Sequence, residues 1–196
     1  GDWLFGRLLC FLDTLHDCYG EGQNRYIIKN VRKVMNWMDE LLKQLQFARQ
    51  STIDYVKQLE ERRLEVMPKG FNNHIKWNLG HLYVAFENIV FRLTGENAKF
   101  PINFPELFSP GTSPKQWTME APETTELITL LEGQLERLAS LQAKSLDEAI
   151  PEVYTTSTGA KFLTVGDCVS FIIYHEGMHF GIIKSMNQVL QEGESN

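Results

Sequence analysis

His175 and His179 stand four residues apart in a strongly apolar segment running from Val165 to Leu190. On a helix, that spacing puts both imidazoles on one face with Cβ atoms roughly 5–6 Å apart, close enough to grip a single ion. Neutral imidazole suits late first-row metals. A third ligand must come from elsewhere in the chain, and His81 is the candidate. It sits in the apolar stretch Leu79 to Phe91, where an unpaired polar ring is costly unless it is coordinated or hydrogen-bonded. The competing reading is of core histidines that are merely packed and hydrogen-bonded. The expected cofactor is one divalent transition metal, Zn or Ni first, with Fe or Mn as alternatives.

The segment His175-Glu176-Gly177-Met178-His179 also fits H-E-x-x-H, the zinc-peptidase pattern in which the Glu is a general base. Its context does not fit. The extended peptidase form needs Gly at 182 and His at 185, where this chain has Ile182 and Ser185. Glu176 remains a candidate base or a partner of a ligand, although a neighbour of a helical ligand points about 100 degrees away from it. A solvated or capping Glu is the alternative. Trp77, Asn78 and Tyr174 flank the histidines and are candidates for lining a cofactor or substrate pocket, against plain core packing for the aromatics. His74, two turns before His81 and so about 10 Å away, is too far to share the ion. It is expected in the pocket wall or on the surface.

The elements that must bring these residues together are helical. From Trp37 to about Arg63, apolar residues recur at three- and four-residue steps, the mark of an amphipathic helix. Pro68-Lys69-Gly70 stops it, and Asn72 or Asn73 is expected to cap a second helix that runs to about Thr94. Residues 98–122 hold six prolines and glycines among Phe100, Phe104, Phe108 and Trp117, which predicts an ordered lid or rim over the bundle. A third helix starts near Pro122-Glu123 with leucines on one face, a hairpin or extended crossover is expected around Val153–Phe162, and Thr164 caps a fourth helix. That last helix is apolar around most of its girth, which predicts a central position. The expected fold is all-α, a four-helix bundle with a long aromatic and proline-rich loop between helices two and three.

Residues 1–34 read as an N-terminal extension, with a short helix over Trp3–Leu15 and a turn and linker at Tyr19–Asn24; residues 35–196 read as the metal-binding domain. The apolar run Trp3–Leu12 is about half the roughly 20 residues a membrane span needs. With 43% apolar and 22% charged residues the chain is an ordinary globular one. A net charge of −6 and the lack of any Lys/Arg cluster argue against a nucleic-acid partner. Three cysteines, Cys10, Cys18 and Cys168, without metal-type spacing fit free thiols in the cytoplasm.

Three stretches together, Asn73-His74-Ile75-Lys76-Trp77-Asn78-Leu79-Gly80-His81-Leu82, Phe108-Ser109-Pro110-Gly111-Thr112-Ser113-Pro114 and Tyr174-His175-Glu176-Gly177-Met178-His179-Phe180-Gly181, resemble the DinB/YfiT-like family. The resemblance covers about residues 35–190, in the family's order. It implies one metal held by a His of the N-x-x-W-x-x-G-H region and two of the H-x-x-x-H-x-G region, positions that fall on His81, His175 and His179. Where many members carry H-R-G-Q, this chain has His179-Phe180-Gly181-Ile182, so substrate contacts made there by relatives do not transfer. The resemblance further implies a small-molecule substrate, a metal-dependent transferase using a bacillithiol-type low-molecular-weight thiol, and a homodimer. A metal-dependent hydrolase and a non-catalytic metal- or ligand-binding stress protein are the alternatives. An ion with an open position acidifies either a water, for hydrolysis, or a thiol, for transfer.

Overall fold

The computed structural model describes residues 21–156 and 159–194. Helix α1 spans Glu21–Val56 and is followed by the short α2, Glu61–Leu64. Helix α3, Ile75–Phe86, runs into a π-helical turn, Glu87–Arg92. The loop beyond it holds α4, Phe104–Phe108, and α5 covers Thr124–Glu136 with a 3₁₀ extension to Leu141. Strands β1, Ala149–Thr155, and β2, Lys161–Thr164, form an antiparallel hairpin that leads into α6, Val165–Glu194. The chain is mostly helical, as its periodicity predicts. Each of α1, α6, α3 and α5 packs against the next, and α5 returns to α1.

Several boundaries differ from expectation for identifiable reasons. Helix α1 begins at Glu21, so Glu21 to Asn24 is helical rather than a linker, because the three- and four-residue apolar spacing continues upstream through Ile27, Val31, Val34 and Met38. The expected short helix at Trp3–Leu15, together with Cys10 and Cys18, lies outside the described residues. Neither Asn72 nor Asn73 caps α3. His74 does, its Nδ1 accepting from the Trp77 amide at 3.0 Å. Thr164 caps α6 as expected and does so reciprocally: its hydroxyl accepts from the Asp167 amide while the Asp167 carboxylate accepts from the Thr164 and Leu163 amides. Helix α6 is not surrounded on all sides, since Tyr174, Met178 and Val189 stand exposed on its outer face.

The apolar core divides into two clusters. One gathers Ile53, Leu79, Leu82, Leu131 and Ile183; the other gathers Leu45, Phe86, Leu138, Val169 and Ile172. Between them every long helix contributes buried polar groups: Arg49 from α1, His81 from α3, Gln134 from α5, and His175, Glu176 and His179 from α6. A polar layer held between two dry cores is costly unless its members satisfy one another.

Candidate metal centre

His81, His175 and His179 meet in that layer. All three are buried, and one nitrogen from each lies within 4.8 Å of the others. The sequence spacing of 175 and 179 places two rings on one face of α6, with centroids 4.5 Å apart, and the crossing of α3 adds the third at 4.8 Å from His179 and 5.1 Å from His175. Only the fold could supply that crossing.

The hydrogen bonds around the rings decide which nitrogens face inward. His81 Nδ1 lies 2.7 Å from the Phe108 carbonyl, which can only accept, so Nδ1 carries the proton and Nε2 presents a lone pair. His179 Nδ1 lies 2.8 Å from Asn78 Oδ1, and the Asn78 amide nitrogen donates to the His74 carbonyl at 2.9 Å, which fixes the Asn78 oxygen toward the ring. His179 Nε2 is therefore also a lone pair. The Nε2 atoms of His81 and His175 stand 3.2 Å apart. Two nitrogens bound at roughly 2.0–2.1 Å to a tetrahedral ion lie about 3.3 Å apart. The donor set, its spacing and its tautomers thus fit a divalent ion, and the three buried histidines could hold one.

Burial, and after it the neighbouring rings, pushes His175 down to about 2 and His179 down to about 3, and burial also lowers His81. Neutral rings are the form that ligates. Burial lowers His74 to about 4 as well. All four groups bind protons near 6.5 when unfolded and only at lower pH when folded, so the unfolded chain holds more protons between those limits and stability falls as pH drops through the window. Metal-free protein is expected to melt at a lower temperature at pH 5 than at pH 7. His74→Asn, which keeps a capping acceptor, should show a smaller drop; equal melting temperatures at the two pH values would contradict the burial of these rings.

The flanking residues are held by specific contacts. The Trp77 indole stacks on His81 at 4.8 Å and 8°, and its Nε1 donates to the Leu107 carbonyl and to Thr112. Asn78 orients His179. Tyr174 is 65% exposed, as expected of a residue one step before His175 and so on a different helical face. His74 is a buried cap whose ring packs edge-on against Trp117. Glu176 is neither solvated nor a free base. Its two carboxylate oxygens accept from Arg49 Nη2 at 2.5 Å and Nε at 2.9 Å, with both side chains fully buried. Arg49 also donates to Gln134, whose amide donates onward to Glu87.

Sequence reasoning passed over Arg49, Gln134 and the Phe108 carbonyl. Arg49 did carry a signal, since it falls on the inward stripe Leu45, Arg49, Thr52, Ile53, Val56. Beside the histidines lies a cavity of about 520 Å³, with His175 in its wall together with residues of α3, the π-turn, the loop and the hairpin. The loop expected as a lid is ordered over the centre, with Phe104, Leu107 and Phe108 buried.

A mostly helical fold enclosing a three-histidine cluster beside an open cavity is the architecture of a candidate metal-binding protein. The family model described as the DinB superfamily matches residues 44–183, and the chain belongs to that superfamily. The crystal structure of a conserved protein from Enterococcus faecalis superposes with a TM-score of 0.55 at 12% identity, covering 78% of this chain and 95% of the other. That likeness is one of fold. No curated protein matches the sequence. Among the described residues no helix is long and apolar enough to cross a membrane.

Proposed function

We propose that the chain is a mononuclear divalent-metal enzyme of the thiol-dependent, bacillithiol-type S-transferase class, with His81, His175 and His179 as its protein ligands. The observation that carries the metal reading is the convergence of inward-facing imidazole nitrogens at ligand spacing, with His175 also in a cavity wall. Three protein ligands leave a position for a substrate atom, which is the arrangement of catalytic rather than structural sites. The transferase class comes from family resemblance.

Each neighbouring residue has a defined task in this reading. The Phe108 carbonyl and Asn78 hold two rings in one tautomer, as outer partners of metal-bound histidines do. Trp77 fixes the plane of His81. The Arg49–Glu176 pair ties the ligand turn of α6 to α1. An ion held there supplies Lewis acidity and favours the deprotonated form of a thiol. The hydrolytic alternative loses its proposed base, because Glu176 is engaged on both oxygens by Arg49.

Elemental analysis of purified wild type beside His81→Ala tests the centre before any activity is assumed. About one equivalent of metal in the wild type and almost none in the variant is expected; equal content in both would remove His81 from the site. Turnover of bacillithiol with an electrophile such as monochlorobimane then tests the reaction class, and its absence in metal-loaded protein would refute the transferase reading.

A further inference from the structure

The cavity beside His175 is built unevenly. Its volume of about 520 Å³ falls within the roughly 300–1,000 Å³ of small-molecule sites. Three rings from separate elements, Phe100, Tyr154 and Phe171, contribute to its wall. The π-turn after α3 brings Asn88 and Arg92 into the same wall. Among the described residues no carboxylate lines it, and Arg92 is the one lining side chain with a permanent charge.

The Arg92 side chain has no hydrogen-bond or ion-pair partner among the described residues. That contrasts with Arg49 and Arg137, each of which is held by a buried carboxylate. A mostly apolar wall that carries one guanidinium and no carboxylate among the described residues is complementary to a ligand that brings negative oxygen on an apolar body. Guanidinium binds such groups with two parallel hydrogen bonds, which gives geometric selection as well as charge.

We infer that this cavity takes a small organic anion with an aromatic body, its acidic group paired with Arg92 and its other end directed toward the three-histidine centre. The direction of that other end rests on the metal reading above, whereas the choice of an aromatic anion does not. The ligand class selects among the electrophiles or thiols the enzyme would process.

The test uses 4-phenylbutanoate and 4-phenylbutan-1-ol, which differ only in the acidic end, titrated calorimetrically into the full chain in zinc-loaded and in EDTA-treated form. In both forms the acid should bind threefold or more tighter than the alcohol. Arg92→Gln should abolish that preference and leave the alcohol unchanged, because the side chain lies at the exposed end of the π-turn. Phe100→Ala, on the partly exposed loop, should weaken both ligands threefold or more and so locate them in the cavity. Equal affinity for acid and alcohol in the wild type, no binding of either, a preference that survives Arg92→Gln, or indifference to Phe100→Ala would each overturn the inference. A failure of zinc to bind, with the acid preference intact in the metal-free arm, would count against the metal reading and not against this one.

Discussion

Arg49→Met is expected to destabilise the fold by about 3–5 kcal/mol, the usual cost of stranding one partner of a buried ion pair. Arg49 and Glu176 are both fully buried and joined by two hydrogen bonds, so removal of the guanidinium leaves a carboxylate with no water and no donor. Gln134 loses a donor at the same time. The loss is specific to the unpaired charge, and a second substitution exposes this: Arg49→Met combined with Glu176→Leu replaces both charges by apolar groups and should recover much of the stability. Urea unfolding of the two single variants and the double variant measures the coupling. A single Arg49→Met variant within about 1 kcal/mol of wild type would show that water reaches Glu176 and that the polar layer is not dry.

The histidines were legible in the sequence because their chemistry is local. A four-residue step on an apolar helix puts two rings side by side whatever the rest of the chain does, and the family resemblance pointed to His81. The partners of those rings were not legible in the same way. Phe108 meets His81 through a backbone carbonyl, an atom that every residue possesses and that leaves no mark in a sequence. Asn78 was noticed, but its position on α3 does not say whether it faces a cavity or a ring 101 residues away on α6. Helix order and the hairpin followed from periodicity and β-branched composition. The π-turn at Glu87–Arg92, which rotates Asn88 and Arg92 into the cavity wall and Glu87 inward, interrupts no hydrophobic pattern and gave no signal. Arg49 could have been read: a permanent cation on the inward stripe of an amphipathic helix calls for a buried anion, and Glu176, flanked by two inward histidines, was the available one.

Gly80→Ala is expected to strike the site through the same backbone carbonyl. A Cβ built at Gly80 would lie 2.3–2.4 Å from three atoms of the Phe108 ring, far inside contact distance. The ring cannot simply swing aside, because it is fully buried and packs edge-on against Phe104 at 5.3 Å and Trp117 at 5.5 Å. Phe108 must therefore shift as a residue, and its carbonyl is the acceptor that fixes the His81 tautomer. Overpacking of this kind costs about 1–3 kcal/mol, and the larger figure applies where no flexible end can yield. Loss of an outer partner of a metal-bound histidine lowers metal affinity about 10- to 100-fold. Gly133→Ala is the matched control: the glycine is also helical, nothing lies within 4 Å of its added methyl, and the change should be neutral or stabilise by up to about 1 kcal/mol. Urea unfolding and zinc titration of the two variants separate the packing term from helix propensity. Wild-type stability and zinc affinity in Gly80→Ala would mean that α3 and α4 do not approach as closely as described, and the carbonyl hold on His81 would fall with that contact.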